Sequence, residues 1–472
     1  MPTLKKTKIV CTIGPASWDP IILRQMFENG MNVARVNGAF ADLDELKRVG
    51  DLIKSISLNI ALMLDIKGHE VRLNKFNEKI YIKTGDEFII GSSNKDAVYP
   101  ITYPELYKDI NPGQLISIDK GDSELEVIKI VDSKIICKVL RGEIIESGKG
   151  MNFPGAKLHN PSLTNIDKDQ IEFVIKENWD FIAGSFIRNA DDVNEIKNLI
   201  KDSNIKIVAK IEDQQGVDNI DEIIAVSYGI MIARGDMGSE IPFERLPIIQ
   251  KELIYKCNKA GKPVIIATNM LESMIEKSMP TRAEITDVAN AVLDGTDAIM
   301  TSGETSTGKY PVETITTMAR IAGESEKYLV PEILDTMDLE LHKISVAMAN
   351  AAYEFIIQVP EVTKILVYSK SGLSPRLISR LNLPVDIITF VCNETLKRQL
   401  NLSKNITSFV FNGNYQDRDK AVDGIIDFGL ESKILNSKDK ILLIGNLDLS
   451  KDKSYNHSNI FEYIDVSKAL DK

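Results

Sequence analysis

Three observations predict an α/β fold, a (β/α)8 TIM barrel with an inserted all-β lid domain and a C-terminal α/β domain. Eight apolar runs each carry a polar residue at or next to their end, helical patterns separate them, and their even spacing breaks once. The runs are residues 8–12, 32–37, 60–65, 181–186, 207–212, 230–236, 263–268 and 298–302. Runs this rich in Ile and Val suit central parallel strands covered on both faces. Helical patterns lie between them, for example at 20–29, 191–201 and 282–293, the last opened by a capping box of Thr281 and Glu284. A doubly wound open sheet competes, but eight units without a GxGxxG turn favour closure.

The spacing breaks between Asp65 and Phe181, where short alternating strands appear at 79–82, 88–90, 115–118, 125–127 and 134–139. This reads as a small β domain in the third βα loop, on the face where barrels carry their sites, and so as a lid. After the eighth unit 315–329 looks helical and Pro331 marks a junction. From about residue 337 helices again alternate with apolar runs, at 364–368, 385–390 and 440–444. The expected division is therefore a barrel of residues 1–72 and 155–335, a lid of 73–154 and a C-terminal domain of 336–472.

Composition narrows the function. The 472 residues are 43% hydrophobic and 26% charged, ordinary for a soluble globular protein. A net charge of −11 argues against a nucleic-acid partner, because such binding rests on basic patches. An acidic protein that binds anions must concentrate positive charge locally, so Lys and Arg at strand ends gain interest. Cys11, Cys137, Cys257 and Cys392 are far apart and read as thiols of a reducing compartment. His69, His159, His342 and His457 are equally scattered, which disfavours a histidine metal site. The first eight residues carry no apolar signal region, and no stretch approaches the roughly 18 apolar residues of a spanning helix. A cytoplasmic protein without a membrane partner is expected.

The fifth and sixth runs end in Lys210, Glu212 and Asp236. Neighbouring parallel strands bring these to one mouth, where two carboxylates repel unless a divalent cation lies between them. Mg²⁺ takes one or two carboxylates, several waters and the oxygens of a bound anion. The pattern points to a Mg²⁺ site for an anionic substrate with Lys210 beside it. A second phosphate motif is rejected: residues 303–310 fit a P-loop except at the last position, where Tyr310 replaces the small hydroxyl ligand.

These residues belong to longer ordered segments. They are Thr7-Lys8-Ile9-Val10-Cys11-Thr12-Ile13-Gly14-Pro15-Ala16-Ser17, Lys149-Gly150-Met151-Asn152-Phe153-Pro154-Gly155, Lys210-Ile211-Glu212-Asp213-Gln214-Gln215-Gly216, Ala233-Arg234-Gly235-Asp236-Met237-Gly238, Pro280-Thr281-Arg282-Ala283-Glu284 and Ser302-Gly303-Glu304-Thr305. Over nearly its full length the chain resembles pyruvate kinase. The resemblance implies Mg²⁺-dependent phosphoryl transfer from phosphoenolpyruvate to ADP in glycolysis, giving pyruvate and ATP. It further implies Glu212 and Asp236 as Mg²⁺ ligands and Lys210 facing the transferring group. By the same resemblance, backbone N–H groups of Gly235 and Asp236 are expected to hold the substrate carboxylate, Thr268 to relay a proton through water, and Arg35, Arg72 and Lys149 to meet phosphates and nucleotide. A homotetramer is implied, as is a phosphorylated effector at Ser369, Ser371, Gly372 and Ser374, although the family's Gly-rich effector loop is not evident in 445–463. Two other readings remain, a Mg²⁺-dependent pyruvate-enolate lyase or aldolase on a similar barrel, and a catalytically weakened regulatory paralogue.

The chain departs from the family pattern after Arg35, reading Val36-Asn37-Gly38-Ala39-Phe40-Ala41 where the family has Arg-x-Asn-Phe-Ser-His-Gly. Of the implied K⁺ ligands Asn37, Asp65 and the carbonyl of Ile66 remain, while Ala39 has no side-chain oxygen. Glu70 is the residue the family keeps where K⁺ is needed. The signals conflict, and a weakened or altered K⁺ requirement is expected; Phe40 also replaces a histidine that touches the nucleotide.

Overall fold

The computed structural model describes residues 5–76, 78–91, 98–119, 121–334, 343–411, 418–445 and 460–469. Its centre is a closed barrel of β1 (Lys8–Thr12), β2 (Val33–Asn37), β3 (Ala61–Asp65), β4 (Phe181–Gly184), β5 (Lys206–Ile211), β6 (Gly229–Ala233), β7 (Val264–Ala267) and β8 (Ala298–Thr301). Every pair is parallel, and β8 pairs with β1 to close the ring. The expected fold class holds.

Alternation along each strand sorts side chains into two layers. Val10, Val33, Ala61, Met63, Val208 and Met231 form part of an inner core. The same inward-facing series continues toward the C-terminal mouth as Thr12, Arg35, Asp65 and Lys210. The stripe is thus apolar at the floor and ionic at the mouth. Register sets Thr12 opposite Arg35, and Asp65 opposite both Asn37 and Ala183. The opposite faces pack under the helices in a larger core that includes Ile9, Ile207, Ile230 and Trp179.

The inserted segment forms a six-stranded sheet of Glu87–Gly91, Val98–Pro100, Leu115–Ile118, Ser123–Val131, Lys134–Arg141 and Met151–Asn152, with a small hairpin-like pair of Ile80–Tyr81 and Ile144–Ile145. It has its own core, with Phe88, Ile90, Leu125 and Val139 buried. Its two connections to the barrel meet where Arg72 bridges Gly150 and Leu73 N donates to Lys149 O at 3.0 Å.

The C-terminal sheet has the order β11–β10–β9–β12–β13, from β9 (Lys364–Tyr368), β10 (Asp386–Val391), β11 (Ile406–Val410), β12 (Lys440–Gly445) and β13 (Ile460–Asp465). The strand β13 is antiparallel to β12, the other pairs parallel. Sequence patterning finds β9, β10 and β12 but passes over β11 and β13. Both are edge strands, whose polar residues dilute the apolar signal. The expected domain start near residue 337, and the stretch 446–459 in which an effector loop was sought, lie outside the described residues. No helix among the described residues is long and apolar enough to cross a membrane.

The C-terminal domain closes the barrel floor. Leu402 is fully buried within the inner barrel core. Beside it Arg398 Nε lies 2.9 and 3.1 Å from the two oxygens of Asp180, whose Oδ2 also accepts from Leu62 N at 2.9 Å. Replacing Leu402 with Ala opens a cavity in this floor and is expected to lower unfolding free energy by about 2–5 kcal/mol in urea titration. A loss near zero would show that the floor is not a packed contact.

Candidate active site

Lys210 stands at the centre of the mouth. Its ammonium donates to Asp65 Oδ1 at 3.0 Å and to Ser185 Oγ at 2.6 Å, and it pairs with Glu212 Oε1 at 3.0 Å. Asp65 is ligated from the other side by Arg35 Nε at 2.6 Å, and Arg35 Nη1 donates to Thr12 Oγ1 at 2.7 Å. Ser185 Oγ donates to Ile66 O at 2.6 Å, and Glu212 Oε2 accepts from Phe186 N at 2.6 Å. Lys210, Arg35, Asp65 and Glu212 are all buried.

The electrostatics follow from this cage. Burial disfavours the Lys210 ammonium, but the Asp65 and Glu212 carboxylates outweigh it and hold its pKa above the ordinary lysine value. Burial likewise opposes ionisation of Asp65, and Arg35 with Lys210 overcomes it, so its pKa falls. Glu212 goes the other way: burial, with Asp236 adding repulsion, pushes it up to about 7 against the pull of Lys210. Two carboxylates of which one resists ionisation are what a divalent cation relieves. Glu212 and Asp236, at the ends of adjacent strands β5 and β6, therefore fit Mg²⁺.

Glu212, Gly235, Asp236 and Thr268 fall just beyond the last paired residue of their strands, where the chain leaves the ladder and side chains are free to face a ligand. Gly235 and Asp236 lie in the first turn of the seven-residue helix Arg234–Glu240, whose early N–H groups lack intrahelical acceptors. Gly235 N donates to Thr268 Oγ1 at 2.7 Å, and that hydroxyl donates to Ala267 O at 2.6 Å. Thr268 has φ +69°, a left-handed conformation costly for a β-branched residue. Arg234 holds it there, donating to Thr268 O at 2.8 Å and pairing with Asp287 at 2.7 Å.

The remaining candidates sit apart from this cluster. Arg72 Nε and Nη2 bind Glu70 Oε2 at 2.7 and 2.5 Å, and its Nη1 donates to Gly148 O at 2.8 Å. Lys149 pairs with Asp119 at 2.6 Å inside the lid. Asn37 Oδ1 accepts from Ala39 N at 3.1 Å. In the C-terminal domain Ser369 Oγ accepts from Gly372 N at 3.0 Å, Gly372 has φ +74°, and Ser371 Oγ accepts weakly from Leu373 N at 3.5 Å. Ser374 lies within the helix Leu373–Ser379 that follows.

Sequence reasoning passed over Thr12, Ser185 and Glu240. Thr12 and Ser185 were visible as polar closures of apolar runs, but nothing local marks which closures meet. Glu240 reaches the lid's return strand, where its Oε1 accepts from Phe153 N at 3.0 Å, and burial pushes its pKa up to about 7.

Comparison with known proteins adds an independent finding. A family model described as "Pyruvate kinase, barrel domain" matches residues 4–315, and one described as "Pyruvate kinase, alpha/beta domain" matches 346–461. A pyruvate kinase of Bacillus licheniformis is 39% identical, the match covering 93% of this chain and 77% of that protein. One of Clostridium acetobutylicum is 38% identical over 93% of this chain and 96% of its own length. A crystal structure of a pyruvate kinase from Cryptosporidium parvum superposes with a TM-score of 0.88 at 32% identity, covering 98% of this chain and 97% of the other.

Glu240 yields a pH test. The folded chain keeps its proton up to about 7, whereas the unfolded chain releases it near the ordinary 4.5. Between those values the folded state binds more protons, so this contribution to stability falls as pH rises. Glu240→Gln keeps an acceptor for Phe153 N and is expected to flatten that part of the curve of thermal midpoint against pH. An unchanged slope would remove Glu240 as its source.

Proposed function

We infer the division of labour at this mouth from one premise: the chain belongs to the pyruvate kinase family, phosphotransferases that move the phosphoryl group of phosphoenolpyruvate to ADP and release pyruvate. The observation that carries the residue assignments is the buried Lys210 ammonium, caged by Asp65, Glu212 and Ser185. Phosphoryl transfer asks mainly for positioning and charge stabilisation. Lys210, a compact point charge held in a water-poor setting, stabilises the negative charge of the phosphoryl in flight. Glu212 and Asp236 would hold Mg²⁺, which would supply charge neutralisation for the anionic substrate.

Gly235 and Asp236 receive the substrate carboxylate on their backbone N–H groups, so the Gly235 bond to Thr268 Oγ1 must yield to the substrate. The freed Thr268 hydroxyl then orders the water that delivers a proton to the enolate carbon. Arg35, already fixed by Asp65 and Thr12, orients a phosphate from the barrel side; Arg72 and Lys149 meet the nucleotide from the lid side. The assembly is proposed as a homotetramer, with Ser369, Ser371, Gly372 and Ser374 forming a loop for a phosphorylated effector.

The family generally uses Mg²⁺ and K⁺, but the residues here do not fit K⁺. Both oxygens of Asp65 face protein cations, Ile66 O accepts from Ser185 Oγ, Asn37 Oδ1 accepts from Ala39 N, and Ala39 offers no oxygen. Arg72 neutralises Glu70. No step is therefore assigned to K⁺.

In a lactate-dehydrogenase-coupled assay with phosphoenolpyruvate, ADP and Mg²⁺, pyruvate is expected; none under any condition would reject the activity for this chain. Lys210→Met is expected to lower kcat by at least about 10²–10³-fold, the loss typical of a removed electrostatic stabiliser, with circular dichroism unchanged. Near wild-type turnover would refute its role. Replacing KCl with a large organic cation chloride at equal ionic strength is expected to change kcat/KM by less than about tenfold, under 1.4 kcal/mol of transition-state stabilisation. A much larger K⁺ activation would overturn the charge-balance account.

A further inference from the structure

A space open to solvent lies between the barrel floor and the C-terminal domain, and no residue of the mouth lines it. It is a cavity of about 370 Å³ walled by the first residues of the barrel, the end of helix Pro311–Ser325 and its 3-10 continuation, and the 382–386 and 404–405 segments of the C-terminal domain. Four of its lining residues are lysines, Lys5, Lys6, Lys327 and Lys404, in a protein whose net charge is −11.

Their acceptors are mostly neutral. Lys5 Nζ donates to Thr7 O and Asn32 Oδ1, both at 2.8 Å; Lys6 Nζ reaches Leu383 O at 3.3 Å, and Lys404 Nζ reaches Gly295 O at 2.8 Å. Among the described residues none of these three forms an ion pair. Lys327 pairs with Glu324 at the exposed surface. The cavity's own carboxylates are Glu326, whose two oxygens accept from Lys6 N and Thr7 N at 2.6 Å each, and the exposed Asp386. Asn382 lines the same space, and its buried Oδ1 has no partner. Buried ammonium groups that donate only to neutral oxygens are costly. Burial and the neighbouring Lys8 lower the pKa of Lys5 to about 7 against a pull from Glu326, and burial lowers that of Lys404 against Asp297 first and Glu326 second.

We propose that this cavity is a binding site for a phosphate-type dianion, free or carried on a small organic molecule, which joins the barrel floor to the C-terminal domain. The lysines are point donors spread over both walls. A tetrahedral phosphate with several oxygens meets such a set better than a planar carboxylate, which suits the arginine fork. Because the ligand contacts both domains only when they are docked, it stabilises the folded chain in proportion to its occupancy. The site is separate from the Ser369 to Ser374 loop and owes nothing to the reaction assigned to the mouth.

The test uses the full chain, with inorganic phosphate and glycerol phosphate as probes, ionic strength held constant with chloride, and calorimetric titration beside thermal unfolding. Saturable binding and a raised thermal midpoint are expected. Equal affinity for the two probes assigns recognition to the phosphate alone; tighter glycerol phosphate assigns part of the cavity to the organic group. Asn382→Asp is nearly isosteric and tolerates the φ of +52° found there. It is expected to raise the midpoint without phosphate, by supplying the missing anion, and to weaken phosphate binding at least about tenfold, as a like charge at the site requires. The double variant Lys6→Ala, Lys327→Ala is expected to weaken binding comparably while turnover is retained. No saturable phosphate binding, or full binding in both variants, overturns the proposal. So does loss of the response in Ser371→Ala, Ser374→Ala with the lysine variant unaffected.

Discussion

A single buried ammonium organises the mouth of the barrel. Lys210 is held by Asp65, Ser185 and Glu212, and through Asp65 it is tied to Arg35 and Thr12. Groups from five segments converge on it, those of β1, β2, β3, β5 and the turn after β4. Taking such charges out of water is expensive unless geometry and hydrogen bonding are nearly complete. The ammonium donates to Asp65 and Ser185 and pairs with Glu212, and both Asp65 oxygens have donors. Glu212 is the member of the cage whose ionisation burial and Asp236 oppose.

The scaffold makes this convergence possible. Parallel pairing in a closed ring places every strand's C-terminal end on one rim, and the alternation of side chains continues the apolar inner core into an ionic layer. The floor is closed by Leu402 and by the Arg398–Asp180 pair, both dependent on the C-terminal domain. At the mouth Thr268 is held at positive φ by Arg234, itself fixed on Asp287. The lid is anchored at both of its connections, by Arg72 on Gly148 O and by Glu240 on Phe153 N.

The barrel was legible because its signal is periodic and local. Apolar runs with polar closures recur in order, and each closure falls at a strand end whatever the details of packing. Lys210, Glu212 and Asp236 could be assembled in advance because adjacent parallel strands bring their ends together. Ser185 and Thr12 carried the same local signal as closures with no role, and only the ring told them apart. The edge strands Ile406–Val410 and Ile460–Asp465 carry polar residues, Thr407 and Ser408 in one and Glu462 and Asp465 in the other, that interrupt their apolar runs. Glu240 escaped notice because its partner is a backbone N–H of the inserted segment, which no spacing foretells.

Linear order therefore carried the repeating units, the interruption after Asp65, and the residue types at each strand end. It also carried the departure at Gly38 to Ala41, since loss of an oxygen at Ala39 is a matter of composition. Tertiary structure decided which charges face each other. Asp65 stands as the shared counter-ion of Arg35 and Lys210. Arg72 neutralises Glu70, and four lysines from two domains border one cavity. The reason is the range of the forces involved. Strand and helix patterning is set by neighbours a few residues away, whereas a buried ion's state depends on every charge within a few ångströms, whichever part of the chain supplies it.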